Sequence, residues 1–198
     1  MTTTFHFKKI LLICLCLSYY FLAMAIPIKE KTKIAVVVKN DPLPAQKVIT
    51  KFLQWYKINL HKANSFPLLK KDSVGNYMVN KKAVSDYLNF LKSSKFISGK
   101  YIEHWQTYFD DKAAELKNQP MQSDMPEGFD LDFILITQEP ELVLNQITRA
   151  KYKTISANNS VALIGVSWPG KDLMKYEFEM YKTKNGWQIG YISTPNFD

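Results

Sequence analysis

The sequence predicts an α+β fold in which N-terminal helices pack on a C-terminal four-stranded antiparallel sheet, strongly twisted around the first helix. Two patterns lead there. Between positions 45 and 120 the apolar residues recur at helical spacing, and after Arg149 they come in short β-rich runs joined by Asn158-Asn159, Pro169-Gly170 and Asn185-Gly186. Composition agrees: with 46% hydrophobic and 22% charged residues among 198, the chain has the proportions of a core-burying protein. Collagen-like, low-complexity and polytopic membrane classes are set aside on the same numbers.

Residues 1–25 have the layout of a secretory signal peptide, with Lys8 and Lys9, an apolar run over 10–22, and Ala23-Met24-Ala25 as the cleavage site. The run is broken by Ser18-Tyr19-Tyr20 and falls short of the ~20 apolar residues a spanning helix needs, so cleavage and no stable membrane insertion are expected. Residues 26–198 then make a single α+β domain, exported to a periplasmic or secreted location. Both cysteines, Cys14 and Cys16, lie in the leader, which removes disulfides, thiolate catalysis and cysteine-held metals from the mature chain. Ile13 and Leu15 precede them where a lipoprotein would have a small residue, and lipidation is disfavoured.

Each element has its own warrant. The β-branched run Lys33-Ile34-Ala35-Val36-Val37-Val38-Lys39 reads as a short strand, ended by Asp41-Pro42-Leu43-Pro44. Over 45–62, Val48, Phe52 and Trp55 with Ile49, Leu53, Tyr56 and Leu60 give a first helix with a broad apolar stripe. Pro67 and the 72–76 cluster mark an irregular link, with a short extended piece at 77–79. Asn80 caps a second helix reaching about Ser94, and Ser98 a third, whose face Ile102, Trp105, Phe109, Ala113 and Leu116 runs until Pro120 intervenes. Strands are expected at 150–156, 161–168, 173–182 and 187–193. The last two form a hairpin with Asn185-Gly186 as the central pair of a type I′ turn. Tyr176, Phe178 and Met180 should share one face, as should Trp187, Ile189 and Tyr191. A cone-like cavity between sheet and helices is the opening such an architecture tends to leave.

Three stretches carry a family likeness. Phe52-Leu53-Gln54-Trp55-Tyr56 in the first helix, Leu131-Asp132-Phe133-Ile134-Leu135-Ile136-Thr137-Gln138-Glu139, and the closing Asn185-Gly186-Trp187-Gln188-Ile189 together resemble the domain of unknown function 3828 family. The likeness extends over most of the mature chain. It implies an exported bacterial protein with a cystatin-like or nuclear-transport-factor-2-like cone, and it brings no catalytic residues with it. Glu139 stands where the family often has Asp after its Gln, and the region from the second helix to the third is unusually long.

Charge narrows the functional classes. The formal net charge is +8, falling to +6 once Lys8 and Lys9 leave, yet Arg149 is the sole arginine. Without arginine's planar fork, specific nucleic-acid reading is excluded as an expectation. Residues 118–148 contain no basic residue but six acidic ones, namely Asp124, Glu127, Asp130, Asp132, Glu139 and Glu141. Such a segment either orients a charged partner or pairs with nearby lysines, and pairing is the blander expectation.

Candidate site residues lie in two places. On the third helix Tyr101, His104 and Tyr108 line up with Asp111 beside Trp105, where His104 could act as a base near neutral pH. An amphipathic shoulder with its polar tips in water explains the same spacing, since His104 and Asp111 are two turns apart. In the acidic segment, Asp130 and Asp132 would share a strand face and could suit acid/base work, with Gln138 also a candidate; a hydrated loop or lysine-paired edge explains them better. His61 near the end of the first helix fits ordinary capping. No His-x3-His pair, EF-hand loop, Gly-x-Ser-x-Gly or glycine-rich phosphate loop occurs, so neither metal nor cofactor is expected. The reading is an exported, non-catalytic binding protein, recognising an envelope protein or small ligand through the cone cavity or the acidic loop. The alternatives are a periplasmic immunity or inhibitor protein, and a hydrolase or isomerase using the cavity.

Overall fold

A computed structural model describes residues 44–169 and 175–195; the expected leader, the 33–39 strand, Gly170 of the Pro169-Gly170 joint and the Leu173 start of the third β run fall outside the described residues. Helix α1 (Pro44–Asn64) opens on a proline, whose missing N–H is no loss in a first turn. Ile49, Phe52, Leu53, Tyr56 and Leu60 return every three or four residues and are all buried, while Lys47, Lys51, Gln54 and Lys57 between them face water. That buried stripe forms the centre of the core.

The link after α1 is more ordered than expected. A small hairpin pairs β1 (Leu69–Lys71) with β2 (Tyr77–Val79), of which only β2 is legible in sequence. Its turn is built by Asp72, whose Oδ1 accepts from the Val74 and Asn76 amides at 3.0 and 2.8 Å. Helix α2 (Lys81–Ser93) is capped by the Asn80 side chain and α3 (Gly99–Asn118) by Ser98, as expected.

The four-stranded sheet is an antiparallel meander of β3 (Lys151–Ala157), β4 (Val161–Ser167), β5 (Tyr176–Thr183) and β6 (Gly186–Ser193). Ala162, Ile164 and Val166 on β4, with Tyr176, Phe178 and Met180 on β5, are buried in one core with the α1 stripe. The architecture is therefore α+β, helices first and antiparallel sheet after. These side chains pack between the sheet and α1.

Two details of the last hairpin depart from expectation. Thr183 pairs with Gly186, so Lys184 and Asn185 are the loop residues; Asn185 has no positive φ, and only Gly186, at φ 97°, is left-handed. The turn is the type that places a left-handed glycine after its central pair, rather than type I′. Further along, Glu179 pairs with Tyr191 but Met180 with Ile189, leaving Gly190 as the extra residue of a β-bulge. The bulge reverses the alternation: Ile192 enters the core and Tyr191, expected beside Ile189, is 38% exposed. A Cβ on Gly190 would overlap the Tyr181 ring, which lies across that backbone.

Both edges of the sheet are modified. Along β6, the Phe96 carbonyl accepts from Ile189 N at 2.8 Å and Ile189 returns a carbonyl to Ser98 N at 2.9 Å. At β3, Ile155 is an unmatched residue between Thr154 and Ser156, and Lys151 and Lys153 are exposed.

Candidate functional site

The acidic segment is fastened to the core at one residue, Asp132. Its carboxylate accepts a hydrogen bond from the Tyr56 hydroxyl of α1 and, through Oδ1, from the amides of Ile134 and Leu135 at 3.0 and 2.7 Å. Backbone bonds close the turn: Ile136 N donates to Asp132 O at 2.7 Å, and Asp132 N to Thr137 O at 2.9 Å. Ile136 adopts φ 50°, an unfavourable conformation for a β-branched residue that the surrounding bonds hold. Ile134 and Leu135 are fully buried, and the Tyr176 hydroxyl of β5 donates to Leu135 O at 2.7 Å. The loop is thus tied to α1 and to the sheet at once. A short helix, α4 (Pro140–Leu144), and a 3-10 turn (Ile147–Arg149) lead on to β3.

Asp132 is consequently not the hydrated or lysine-paired edge residue expected, and it shares no strand with Asp130. A side chain that must satisfy two local amides and a distant phenol is drawn inside. Burial raises its pKa, while the donors Tyr56, Leu135 and Ile134 pull the other way. Burial likewise raises the Tyr56 phenol, and the adjoining Asp132 charge adds to it.

The wider expectation of lysine pairing also fails. Ion pairs among the described residues join Lys81 to Asp110, Lys82 to Asp86 and Lys112 to Glu115; none includes an acidic residue of 118–148. Asp124, Glu127, Asp130, Glu139 and Glu141 are all exposed. Lysines approach the segment without pairing with its carboxylates: Lys71 Nζ donates to the Gln122 carbonyl at 2.8 Å, and Lys112, ion-paired to Glu115, also feels the Glu127 charge.

The segment borders a pocket of ≈ 420 Å³ between the end of α1, the β1 strand and residues 125–140. Phe66, Tyr87, Phe129 and Phe133 supply aromatic wall, and Asp130 and Asp132 supply charge, with no Lys, Arg or His in the lining. Gln138 donates to Asp130 Oδ2 at 3.1 Å, holding that carboxylate at the rim. A second pocket, ≈ 730 Å³, lies between the β1–β2 hairpin and α3. Neither has a strand of the four-stranded sheet in its wall, so both lie away from the expected cone.

The seven residues singled out in the sequence divide accordingly. Asp130, Asp132 and Gln138 meet at the first pocket. Trp105 and Tyr108 stand behind its wall, their rings 5.4 and 6.1 Å from that of Phe133. Tyr108 also packs its hydroxyl on Gly128, which has φ 86° and where a Cβ would overlap it. Tyr101, expected with its tip in water, is 1% exposed, its hydroxyl has no hydrogen-bond partner, and burial raises its pKa. α3 is rotated so that Tyr101, Phe109 and Leu116 are its fully buried residues, whereas Ile102, Trp105 and Ala113 are half-buried. His104 stays on the outside, edge-on to Tyr191 at 4.8 Å, with its pKa lowered by partial burial. It is not brought to the acidic segment.

Sequence reasoning missed Tyr56, Tyr87 and Phe66. One signal was present: a tyrosine inside a stripe of Ile, Phe and Leu must find a polar partner when buried. Among the described residues no group of three His, Cys, Asp or Glu is placed to hold a metal ion, and no helix is long and apolar enough to cross a membrane. No family model matches the chain, and neither a curated protein nor a solved structure shows significant similarity to it.

Proposed function

We propose that this chain is an exported, non-catalytic binding protein that recognises a positively charged partner through the acidic segment and the pocket beneath it. Kinship with the domain of unknown function 3828 family and a cystatin-like or nuclear-transport-factor-2-like cone belong to the same reading. The helix-on-meander order is compatible with both. The observation that carries the proposal is the set of exposed carboxylates at Asp124, Glu127, Asp130, Glu139 and Glu141, none in an ion pair with a described residue, beside a pocket without a single basic lining residue. Unpaired charge of one sign attracts an opposite partner over long range and rejects like-charged ones.

An immunity or inhibitor role is the particular form in which the partner is an enzyme with a basic cleft, and the same unpaired segment favours it. A catalytic role has one observation on its side, the neighbouring buried groups Tyr56, Tyr87, Tyr101 and Asp132 with raised pKa values. Against it, both Asp132 oxygens are already occupied by structural donors, and His104 is absent from the pocket.

The test is capture from the native envelope at low and raised salt, repeated with Asp124→Lys and Glu127→Lys together. Retention that is salt-sensitive and lost in the double variant supports the reading. Retention equal in both proteins refutes it.

A further inference from the structure

We propose that the pocket beneath the acidic segment binds an organic primary ammonium carried on an apolar body. The inference rests on the binding reading above and names its ligand chemistry.

Four features converge. The first is charge: Asp130 and Asp132 line the pocket and no Lys, Arg or His does, so its lining carries charge of one sign. Asp132 is 8% exposed and has hydrogen-bond donors but no ionic partner, which leaves a poorly hydrated negative charge that an incoming cation would neutralise.

The second is Tyr87. It is 2% exposed, it lines the pocket, and its hydroxyl makes no hydrogen bond to any described residue. Its oxygen is not one of the fully enclosed unpartnered atoms, which are Tyr101 Oη and Trp168 Nε1, so a ligand N–H can reach it from the pocket. This favours a primary ammonium over a quaternary one, which has no N–H to donate.

The third is the wall. Phe66 and Tyr87 meet at 5.7 Å and Phe129 and Phe133 at 5.7 Å, both edge to face, so ring faces and edges enclose apolar volume next to the carboxylates. An alkyl or aryl body fits there, and aromatic faces attract a cation.

The fourth is a demonstration within the chain. Lys62 holds its ammonium 4.9 Å over the Phe66 ring, so one wall of this pocket already accepts an alkylammonium from outside.

The experiment titrates the full chain with n-hexylammonium, 1-hexanol as the uncharged counterpart, and a short acetylated lysine-containing peptide, by calorimetry. Saturable amine binding with the alcohol at least about tenfold weaker supports the proposal. So does a fall in amine affinity of about tenfold in Asp130→Asn and several-fold in Tyr87→Phe. Tyr87→Phe removes an unpartnered hydroxyl and should leave the unfolding midpoint unchanged or raised, which separates lost affinity from lost fold. Binding by the peptide in the same variant-sensitive manner assigns the ammonium to a partner's lysine, and binding by the amine alone to a free small molecule. Equal affinity for amine and alcohol, or no saturable amine or peptide signal, overturns the proposal. If that occurs while envelope capture remains salt-sensitive, the binding reading stands and only this ligand chemistry falls.

Discussion

Replacing Asp132 by Ala removes the acceptor for three donors at once: the Tyr56 hydroxyl and the amides of Ile134 and Leu135. Hydrogen bonds to an ionised group contribute about 1.5–3 kcal/mol each, and every orphaned buried donor carries its own desolvation penalty. Relief of the buried carboxylate offsets part of this, so the net loss is about 3–5 kcal/mol. That is a large share of the roughly 5–15 kcal/mol by which domains are stable. Asp132→Asn keeps Oδ1 for the two amides and can turn its NH₂ to the Tyr56 oxygen, at a cost of about 1 kcal/mol. The pH dependence has a definite sign. Because burial raises the folded pKa above the unfolded value, the folded state takes up the proton first as pH falls. The stabilisation linked to that shift is fully present below the unfolded pKa and is lost as pH rises through the folded one. Wild type should therefore gain on Asp132→Asn as pH falls toward about 4. Urea unfolding of the three proteins at several pH values measures all of this. An Ala variant within about 1 kcal/mol of wild type, or an Asn variant as unstable as Ala, would refute the anchoring role.

Further outcomes follow from particular contacts. Tyr176→Phe loses the bond to Leu135 O and should destabilise by about 1–2 kcal/mol in the same assay. Gly190→Ala drives a methyl into the Tyr181 ring and should cost about 1–3 kcal/mol, largely recovered when Tyr181→Ala is added. Gly128→Ala combines a left-handed backbone with overlap on the Tyr108 hydroxyl; Tyr108→Phe should restore part of the lost melting temperature and no more, because the backbone strain of about 1 kcal/mol persists. His104 should titrate below 6.5 by NMR, and its midpoint should move toward the ordinary value in Tyr191→Ala, which uncovers the ring.

Local rules made most of the scaffold readable. The caps at Asn80 and Ser98 act within three residues, and the α1 stripe and the β alternation each report burial by period. What escaped depended on distance or on a single irregularity. The partner of Asp132 is 76 residues away, and a run of aspartates around it reads as solvated until that phenol is placed. A glycine at position 190 looks like any small residue in a strand, yet as a bulge it exchanged the faces of Tyr191 and Ile192. The acidic segment was legible as charge; that none of its carboxylates forms an ion pair with a described residue depends on the whole fold.

The treatment of the two outer strands bears on how this protein behaves at high concentration. A bare row of amides and carbonyls invites a neighbouring molecule to add its own strand, and repeated addition makes fibrils. One such row is occupied by the turn before α3, and the other is bent and carries two ammonium groups that a like copy would meet as repulsion. The sheet resists templated growth in both directions, so the molecule can expose its acidic loop at high concentration without clumping through its own strands.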